Sequence, residues 1–263
     1  METQITPDPM DIATMDGTDL LRGGLLAMIL ASTVGSAEPI AESKGSFTSG
    51  GKAIGIETFA PEPKVEGKRP AVVMLHGAGG LAAIGGGEAM RAVARVVAAR
   101  GYVVVMVHYF DRTDTKFADE PTIKREFATW MRTVGDAVGH VSGLPGVDAE
   151  RVGLVGFSLG AYLSLAEATY DPRVKGIVEF FGGLPEAMAD RAGSMPPTLI
   201  LHGDADKIVP VQQARDLERI LKDKKVTYDM HIYEGAGHGF FGADGIDCVK
   251  RTVAFLNKHV RGA

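Results

Sequence analysis

Short, mainly apolar runs alternate with helix-favouring segments from Ser46 onward, and this alternation restricts the chain to few architectures. Apolar strands of this kind are typical of a parallel sheet that helices cover on both faces. Strands that alternate with helices build a doubly wound α/β layer structure with right-handed crossovers. We therefore predict an α/β fold with a mostly parallel sheet, whose strands are Ala71–Leu75, Tyr102–Tyr109, Arg151–Val155, Val174–Phe180, Thr198–Leu201 and Tyr228–Tyr233.

The predicted helices lie between these strands. Glu88–Arg100 has a continuous apolar face, and Gly101 ends it. Lys52–Phe59 alternates weakly between polar and apolar residues, which predicts an antiparallel strand at the edge of the sheet. No repeat or long linker interrupts residues 46–263, so we expect one domain there. The remaining helices are predicted at Thr122–Val141, Ala161–Ala168, 210–222 and Asp244–Val260.

Residues 1–45 are interpreted as an N-terminal leader that contains a signal peptide. Gly23–Val34 is an apolar run of suitable length, Arg22 precedes it, and small residues predict cleavage near Ala37. The run is too short for a stable membrane span, so we predict a periplasmic or secreted protein. The residues before the apolar run are basic in signal peptides, however, whereas in this leader they are mainly acidic. The alternative is therefore a cytoplasmic protein with an N-terminal extension; the acidic residues are Glu2, Asp8, Asp11, Asp16 and Asp19.

Composition excludes several classes of function. A formal net charge of -5, with no cluster of basic residues, argues against a nucleic-acid partner. The single cysteine, Cys248, excludes an internal disulfide and a cysteine-built metal site. The Gly77–Gly80 loop lacks the Lys-Ser/Thr ending of a phosphate-binding loop, and no spacing of histidines and acids predicts a metal. We expect no cofactor, and the sequence is compatible with both a monomer and a homodimer.

Gly156-Phe157-Ser158-Leu159-Gly160 lies between a predicted strand and a predicted helix. Strand, Gly-x-Ser-x-Gly and helix in that order are typical of a nucleophile elbow, in which a strained turn exposes the serine hydroxyl. The motif alone is weak in a chain with 34 glycines, so its interpretation depends on partner residues elsewhere.

Such partners follow two later strands. A serine needs a base within hydrogen-bond reach, and a carboxylate that orients a histidine completes a catalytic triad. His238 lies between glycines after the last predicted strand, and Asp206 follows the strand Thr198–Leu201. The chain order Ser158, Asp206, His238 is the order found in α/β-hydrolases. Asp204 is an alternative acid, although an aspartate there can also form a turn.

These motifs together resemble the dienelactone hydrolase family of α/β-hydrolases, over about Lys52 to Val260. The resemblance implies Ser158 as nucleophile, His238 as base and Asp206 as acid. It also implies that the backbone amides of Ala78 and Leu159 form the oxyanion hole. The segments that carry the resemblance are Leu75–Gly80, Gly101–Val104, Gly156–Gly160, His202–Pro210 and Gly237–Phe240.

Two residues depart from the family's pattern. Dienelactone hydrolases proper have a cysteine nucleophile where this chain has Ser158, and a glutamate where this chain has Gly77. We therefore expect a serine hydrolase that cleaves small-molecule carboxylic esters or lactones through an acyl-serine. The alternatives are a peptidase or depolymerase of the same fold and a non-catalytic binding protein.

Overall fold

Eight strands form one sheet in the computed structural model of this chain, which describes residues 38–62, 67–82 and 86–262. The predicted signal sequence and its cleavage site near Ala37 lie outside these residues. In chain order the strands are β1 Ile40–Ser49, β2 Lys52–Pro61, β3 Arg69–Leu75, β4 Val103–Val107, β5 Val147–Phe157, β6 Val174–Phe180, β7 Thr198–Gly203 and β8 Tyr228–Tyr233. Across the sheet their order is β1-β2-β4-β3-β5-β6-β7-β8. The β1–β2 and β2–β4 pairs are antiparallel, and every later pair is parallel.

Helices cover both faces of the sheet. Those found among the described residues are α1 Gly86–Ala98, α2 Glu120–Ser142, α3 Leu159–Ala168, α4 Gln212–Asp223 and α5 Gly242–Leu256. Two 3-10 helices, Tyr109–Thr113 and Glu186–Ser194, follow β4 and β6, and Asn257–Arg261 extends α5 as a π-helix. In the described part of the chain, no helix is long and apolar enough to cross a membrane.

The two faces of the sheet contribute to two separate apolar cores. On β3, Val73 and Leu75 pack in the core that α2, α3 and α4 cover, whereas Val72 and Met74 pack in the core beneath α1 and α5. Because both faces of these strands are buried, their sequences are apolar without alternation. This explains why the parallel strands are visible in the sequence, and the predicted α/β-hydrolase fold class is confirmed.

The antiparallel edge of the sheet corrects one prediction. Lys52–Phe59, predicted as the edge strand, lies inside the sheet as part of β2, because β1 pairs along its outer side. The sheet also begins at Ile40, before the predicted domain start at Ser46. Gly50 and Gly51 join β1 to β2 with φ of 48° and 80°, the left-handed values that a two-residue hairpin turn favours.

Candidate active site

Ser158 occupies the turn between β5 and α3 in a strained conformation, with φ of 53° and ψ of -117°. Two glycines make this turn possible. A Cβ on Gly156 would lie 2.3 Å from the carbonyl oxygen of Gly160, and a Cβ on Gly160 would lie 2.3 Å from that of Leu75. The Ser158 amide donates a hydrogen bond of 2.9 Å to the Phe180 carbonyl, which ties the turn to the end of β6. The geometry is that of a nucleophile elbow.

Loops after β7 and β8 bring the other two predicted residues to Ser158. His238 Nε2 lies 3.0 Å from Ser158 Oγ, and His238 Nδ1 lies 2.7 Å from Asp206 Oδ2. The Asp206 side chain is fully buried, whereas a fifth of the His238 side chain is exposed. With the Nδ1 proton donated to Asp206, Nε2 can accept the Ser158 proton, and the carboxylate stabilises the imidazolium that results.

Asp206 is held as a carboxylate by several hydrogen-bond donors. Its Oδ1 accepts the amides of Ile208 at 2.8 Å and Val209 at 3.0 Å. Burial raises the pKa of Asp206, but hydrogen bonds from His238, Val209 and Ile208 outweigh it and keep that pKa below its ordinary value. Asp204 has another place: its Oδ1 accepts the Gly235 amide at 2.7 Å, at the start of the His238 loop.

The predicted oxyanion-hole residues lie on either side of Ser158. Leu159 is the first residue of α3, where backbone amides are free of helical partners. A Cβ on Gly77, next to Ala78, would lie 3.7 Å from Ser158 Oγ, so the β3 loop passes directly beside the hydroxyl. Within the described residues, neither the Ala78 nor the Leu159 amide donates a hydrogen bond to another protein group. Both are therefore available to a developing oxyanion.

Three further histidines at strand ends have structural partners. His76 is buried and stacks on Tyr109 with ring centroids 4.1 Å apart, and burial lowers its pKa to about 4. His202 Nε2 donates to the Val209 carbonyl at 2.8 Å, and burial lowers its pKa. His108 Nε2 lies 3.2 Å from Glu57, so it contacts that carboxylate rather than the triad.

Two side chains near the triad were not predicted as site residues. The Phe181 ring lies 4.6 Å from the His238 ring, and Phe181 has φ of 45°, a value rarely adopted by bulky residues. Glu179 is fully buried on β6, two residues before Phe181. Nothing in the sequence around Phe181 distinguishes a side chain that lines the site from one that packs in the core. Glu179 did give a signal, because it is an acidic residue within a mainly apolar run.

The triad of the described residues is not a metal centre, and the cleft of greatest note lies away from it. Across the described residues, no group of three or more histidine, cysteine, aspartate or glutamate side chains is placed to bind a metal ion. A cleft of about 830 Å³ lies elsewhere, between the β1–β2 turn and helices α2 and α3, and its lining includes Arg132, Asp136 and Glu167. Its charged lining has no contact with Ser158 or His238, so the triad itself marks the candidate site.

Comparison with known proteins agrees with the fold and the motifs. The model of the dienelactone hydrolase family matches residues 56–257. A Synechocystis sp. protein named "Putative carboxymethylenebutenolidase" is 25% identical over 206 residues, which cover 71% of this chain and 81% of that protein.

Two of the solved structures that match show the shared fold. A dienelactone hydrolase-like promiscuous phosphotriesterase from metagenomic libraries superimposes with a TM-score of 0.72 at 23% identity, over 85% of this chain and 99% of that one. The acylaminoacyl peptidase of Pyrococcus horikoshii gives a TM-score of 0.70 at 17% identity, over 90% of this chain and 44% of the peptidase.

Proposed function

Because this chain belongs to the dienelactone hydrolase family, we propose that it is a serine hydrolase that cleaves carboxylic esters or lactones. The observation that carries the proposal is the continuous hydrogen-bonded path from Ser158 Oγ through His238 to Asp206, with distances of 3.0 and 2.7 Å. A serine hydroxyl is a weak nucleophile unless a base accepts its proton, and this path provides that base.

In the first step, Ser158 Oγ attacks the carbonyl carbon of the ester while His238 Nε2 removes the hydroxyl proton. The carbonyl oxygen becomes an oxyanion, which the amides of Ala78 and Leu159 stabilise with two hydrogen bonds. As the tetrahedral intermediate collapses, the bond to the alcohol oxygen breaks and His238 donates its proton to that oxygen. The products of this step are a free alcohol and an acyl-serine.

In the second step, water attacks the acyl-serine with His238 again as the base. The ester bond to Ser158 breaks, the proton returns to its oxygen, and the carboxylic acid leaves. Asp206 stays ionised throughout, because His238, Ile208 and Val209 donate hydrogen bonds to it. With a lactone, the alcohol and the acid remain in one product molecule.

Serine as the nucleophile favours simple esters over the substrate that gives the family its name. The sequence resemblance sets a cysteine and a glutamate of dienelactone hydrolases proper against Ser158 and Gly77 of this chain. The Cβ position of Gly77 lies 3.2 Å from the Ser158 Cβ, so a longer side chain there would contact the nucleophile. The absence of a side chain at Gly77 leaves that space to a substrate.

The test is hydrolysis of p-nitrophenyl acetate by the Ser158→Ala variant. We expect kcat to fall by at least about 10⁴-fold, because catalysis without the nucleophile depends on binding and the oxyanion hole alone. The matched control is Ser142→Ala on α2, whose hydroxyl only caps the Val138 carbonyl at 2.8 Å. Near wild-type activity in the Ser158→Ala variant would contradict the mechanism.

A fluorophosphonate probe and a peptide p-nitroanilide separate the alternatives. Stoichiometric modification at Ser158 supports an enzyme, whereas no labelling of folded protein supports a binding protein. The fold is shared with an acylaminoacyl peptidase, so peptide hydrolysis is the second candidate activity. We expect kcat/KM for the acetate ester to exceed that for the peptide anilide by at least about 10²-fold, and the reverse order would favour the peptidase.

A further inference from the structure

Glu179 is a buried acid directly beneath the elbow that carries Ser158. Its side chain is fully buried, and in the sheet it pairs with Gly156 of β5 on one side and Ile200 of β7 on the other. Gly156 is the first glycine of the elbow motif. The proposed mechanism assigns no role to this carboxyl. Burial of an acidic group costs free energy of folding, so its presence calls for an explanation.

One oxygen of Glu179 has a single, specific partner. Oε2 accepts the Gly182 amide at 2.8 Å, whereas Oε1 is buried without a hydrogen-bond partner among the described residues. Burial raises the pKa of Glu179 to about 8, and the bond from Gly182 lowers it only in part. At neutral pH the side chain is therefore an uncharged carboxylic acid that holds one backbone amide.

The turn that Glu179 holds contacts both Ser158 and His238. The Phe180 carbonyl accepts the Ser158 amide at 2.9 Å, and the Phe181 ring lies 4.6 Å from the His238 ring. Phe181 adopts φ of 45°, which costs free energy unless its surroundings impose it. The hydrogen bond from Gly182 to Glu179 is one of the contacts that impose it, and the hydrogen bond of 2.8 Å from the Phe181 amide to the Leu201 carbonyl is another.

Gly182 is packed so closely that no side chain would fit at this position of the turn. A Cβ on Gly182 would lie 2.4 Å from the Ala161 Cβ and 3.2 Å from Glu179 Oε2. Any movement of the Glu179 carboxyl is therefore transmitted to Gly182, and from there to Phe181. Tight packing of this kind transmits small shifts instead of absorbing them.

We propose that Glu179 is a positioning residue, whose carboxyl accepts the Gly182 amide and so holds the Phe181–Gly182 turn and, through that turn, the geometry of Ser158 and His238. The inference rests on the proposed function, because it assigns the turn to the serine mechanism. Ionisation of Glu179 places a charge where no lysine or arginine of the described chain forms an ion pair with it. An unpaired buried charge is stabilised only if the side chain moves toward solvent or water enters. Either change displaces the Phe181–Gly182 turn.

Among the titratable side chains of the described residues, Glu179 shifts the pKa of Tyr162. Tyr162 of α3 interacts with this carboxyl; burial, then Glu179 and Asp206, raise the pKa of Tyr162 to about 12. The neighbouring strands β5 and β7 place Gly156 and Ile200 beside Glu179, and neither of these titrates. Glu179 therefore ionises before Tyr162 as the pH rises, and we expect its ionisation to set the alkaline limit of activity.

The test compares wild type, Glu179→Gln and Glu179→Leu in the hydrolysis of p-nitrophenyl acetate between about pH 6 and pH 9.5. Wild-type kcat should fall as the pH rises through about 8, whereas Glu179→Gln, which keeps an acceptor for Gly182 and cannot ionise, should lose this fall. Glu179→Leu removes the acceptor and should lower kcat about tenfold or more at every pH, with KM within about threefold.

Circular dichroism and thermal unfolding identify any variant that fails to fold. If Glu179→Leu does not fold, the comparison of wild type with Glu179→Gln still tests the proposal. The inference is overturned if Glu179→Gln has the same alkaline fall as wild type, or if folded Glu179→Leu has wild-type kcat. Ser158→Ala, measured in parallel, separates the two proposals. If it is inactive while the Glu179 variants match wild type, only the positioning role fails; if it is active, the serine mechanism fails.

Discussion

Asp204 and Asp206 lie in the same loop, but their carboxylates hold different parts of the His238 loop. Asp206 contacts the His238 ring at 2.7 Å, and Asp204 accepts the Gly235 amide at 2.7 Å. The first contact sets the tautomer and orientation of the base. The second fixes only the backbone where that loop begins. The two aspartates therefore have separable effects on activity.

We predict that Asp206→Asn lowers kcat for p-nitrophenyl acetate by about 10³-fold to 10⁴-fold, because an amide no longer stabilises the imidazolium. Asp204→Asn is the matched control. Its side-chain oxygen can still accept the Gly235 amide, so we expect kcat within about tenfold of wild type. Steady-state kinetics of both variants measure the difference, and equal losses would contradict the assignment of roles.

At the scale of single residues, the sequence could predict those whose chemical role is indicated by a motif. Glycines flank Ser158 and His238 in turns or loops that follow a strand, and Asp206 is identified by its place in the chain order. Phe181 could not be predicted, because its role depends on a left-handed turn that brings its ring to His238. Glu179 could have been noticed as an acid in an apolar strand, but its single partner, the Gly182 amide, is visible only in three dimensions.

At the scale of elements, the approach of α3 to β3 is unusually close. The Cβ of any residue at 160 would lie 2.3 Å from the Leu75 carbonyl oxygen and 2.6 Å from the His76 carbonyl oxygen. Both obstacles are backbone atoms, which cannot rotate away as a side chain can. Glycine at this position therefore decides whether the helix can pack against the strand.

We predict that Gly160→Ala lowers the free energy of unfolding by about 3 kcal/mol or more, because α3 must move away from β3. Gly143→Ala is the matched control at the end of α2. It has φ of -88°, and the nearest atom to its Cβ would lie 3.5 Å away, so we expect a change within about 0.5 kcal/mol. Urea denaturation measures both, and a Gly160→Ala variant as stable as wild type would disprove the packing constraint.

The parallel strands were predicted well, whereas the polar edge strand β1 was not. The predicted bounds of β6, which is almost wholly buried, and of the half-buried β8 coincide with the observed ones. β1 was missed because residues 42–46 are all exposed, so no apolar run marks the strand. Its existence depends on pairing with β2 along ten residues, a tertiary contact that leaves no local pattern.

At the scale of the whole molecule, most of the exposed large apolar side chains of the described residues belong to loops of the candidate site. The described residues expose four large ones: Phe117, Tyr170, Ile208 and Phe241. Three of these belong to loops that carry the site. Ile208 donates its amide to Asp206, Phe241 follows His238 by three residues, and Ala118, next to Phe117, donates to the Ala78 carbonyl at 2.9 Å. We call Phe117, Ile208 and Phe241 the apolar rim. A rim of this composition suits an ester with an apolar acyl or alcohol group.

We predict that wild type prefers p-nitrophenyl octanoate to the acetate in kcat/KM. The double variant Ile208→Ser/Phe241→Ser should lower kcat/KM for the octanoate by about tenfold and for the acetate by less than about twofold, because only the longer chain contacts the rim. Tyr170→Ser is the control, since that ring packs against the Arg191 guanidinium at 4.0 Å instead. Equal losses for both esters would show that the rim has no part in selectivity.

The polar residues of β1, which kept this strand from being predicted, also affect how the protein behaves in solution. An edge strand presents a row of unpaired backbone groups to which another molecule can add a strand. The exposed side chains Glu42, Ser43, Lys44 and Ser46 lie along this row. Charged and polar groups there make the addition of a second chain at this edge unfavourable, so we expect the β1 edge of the sheet to resist edge-to-edge association.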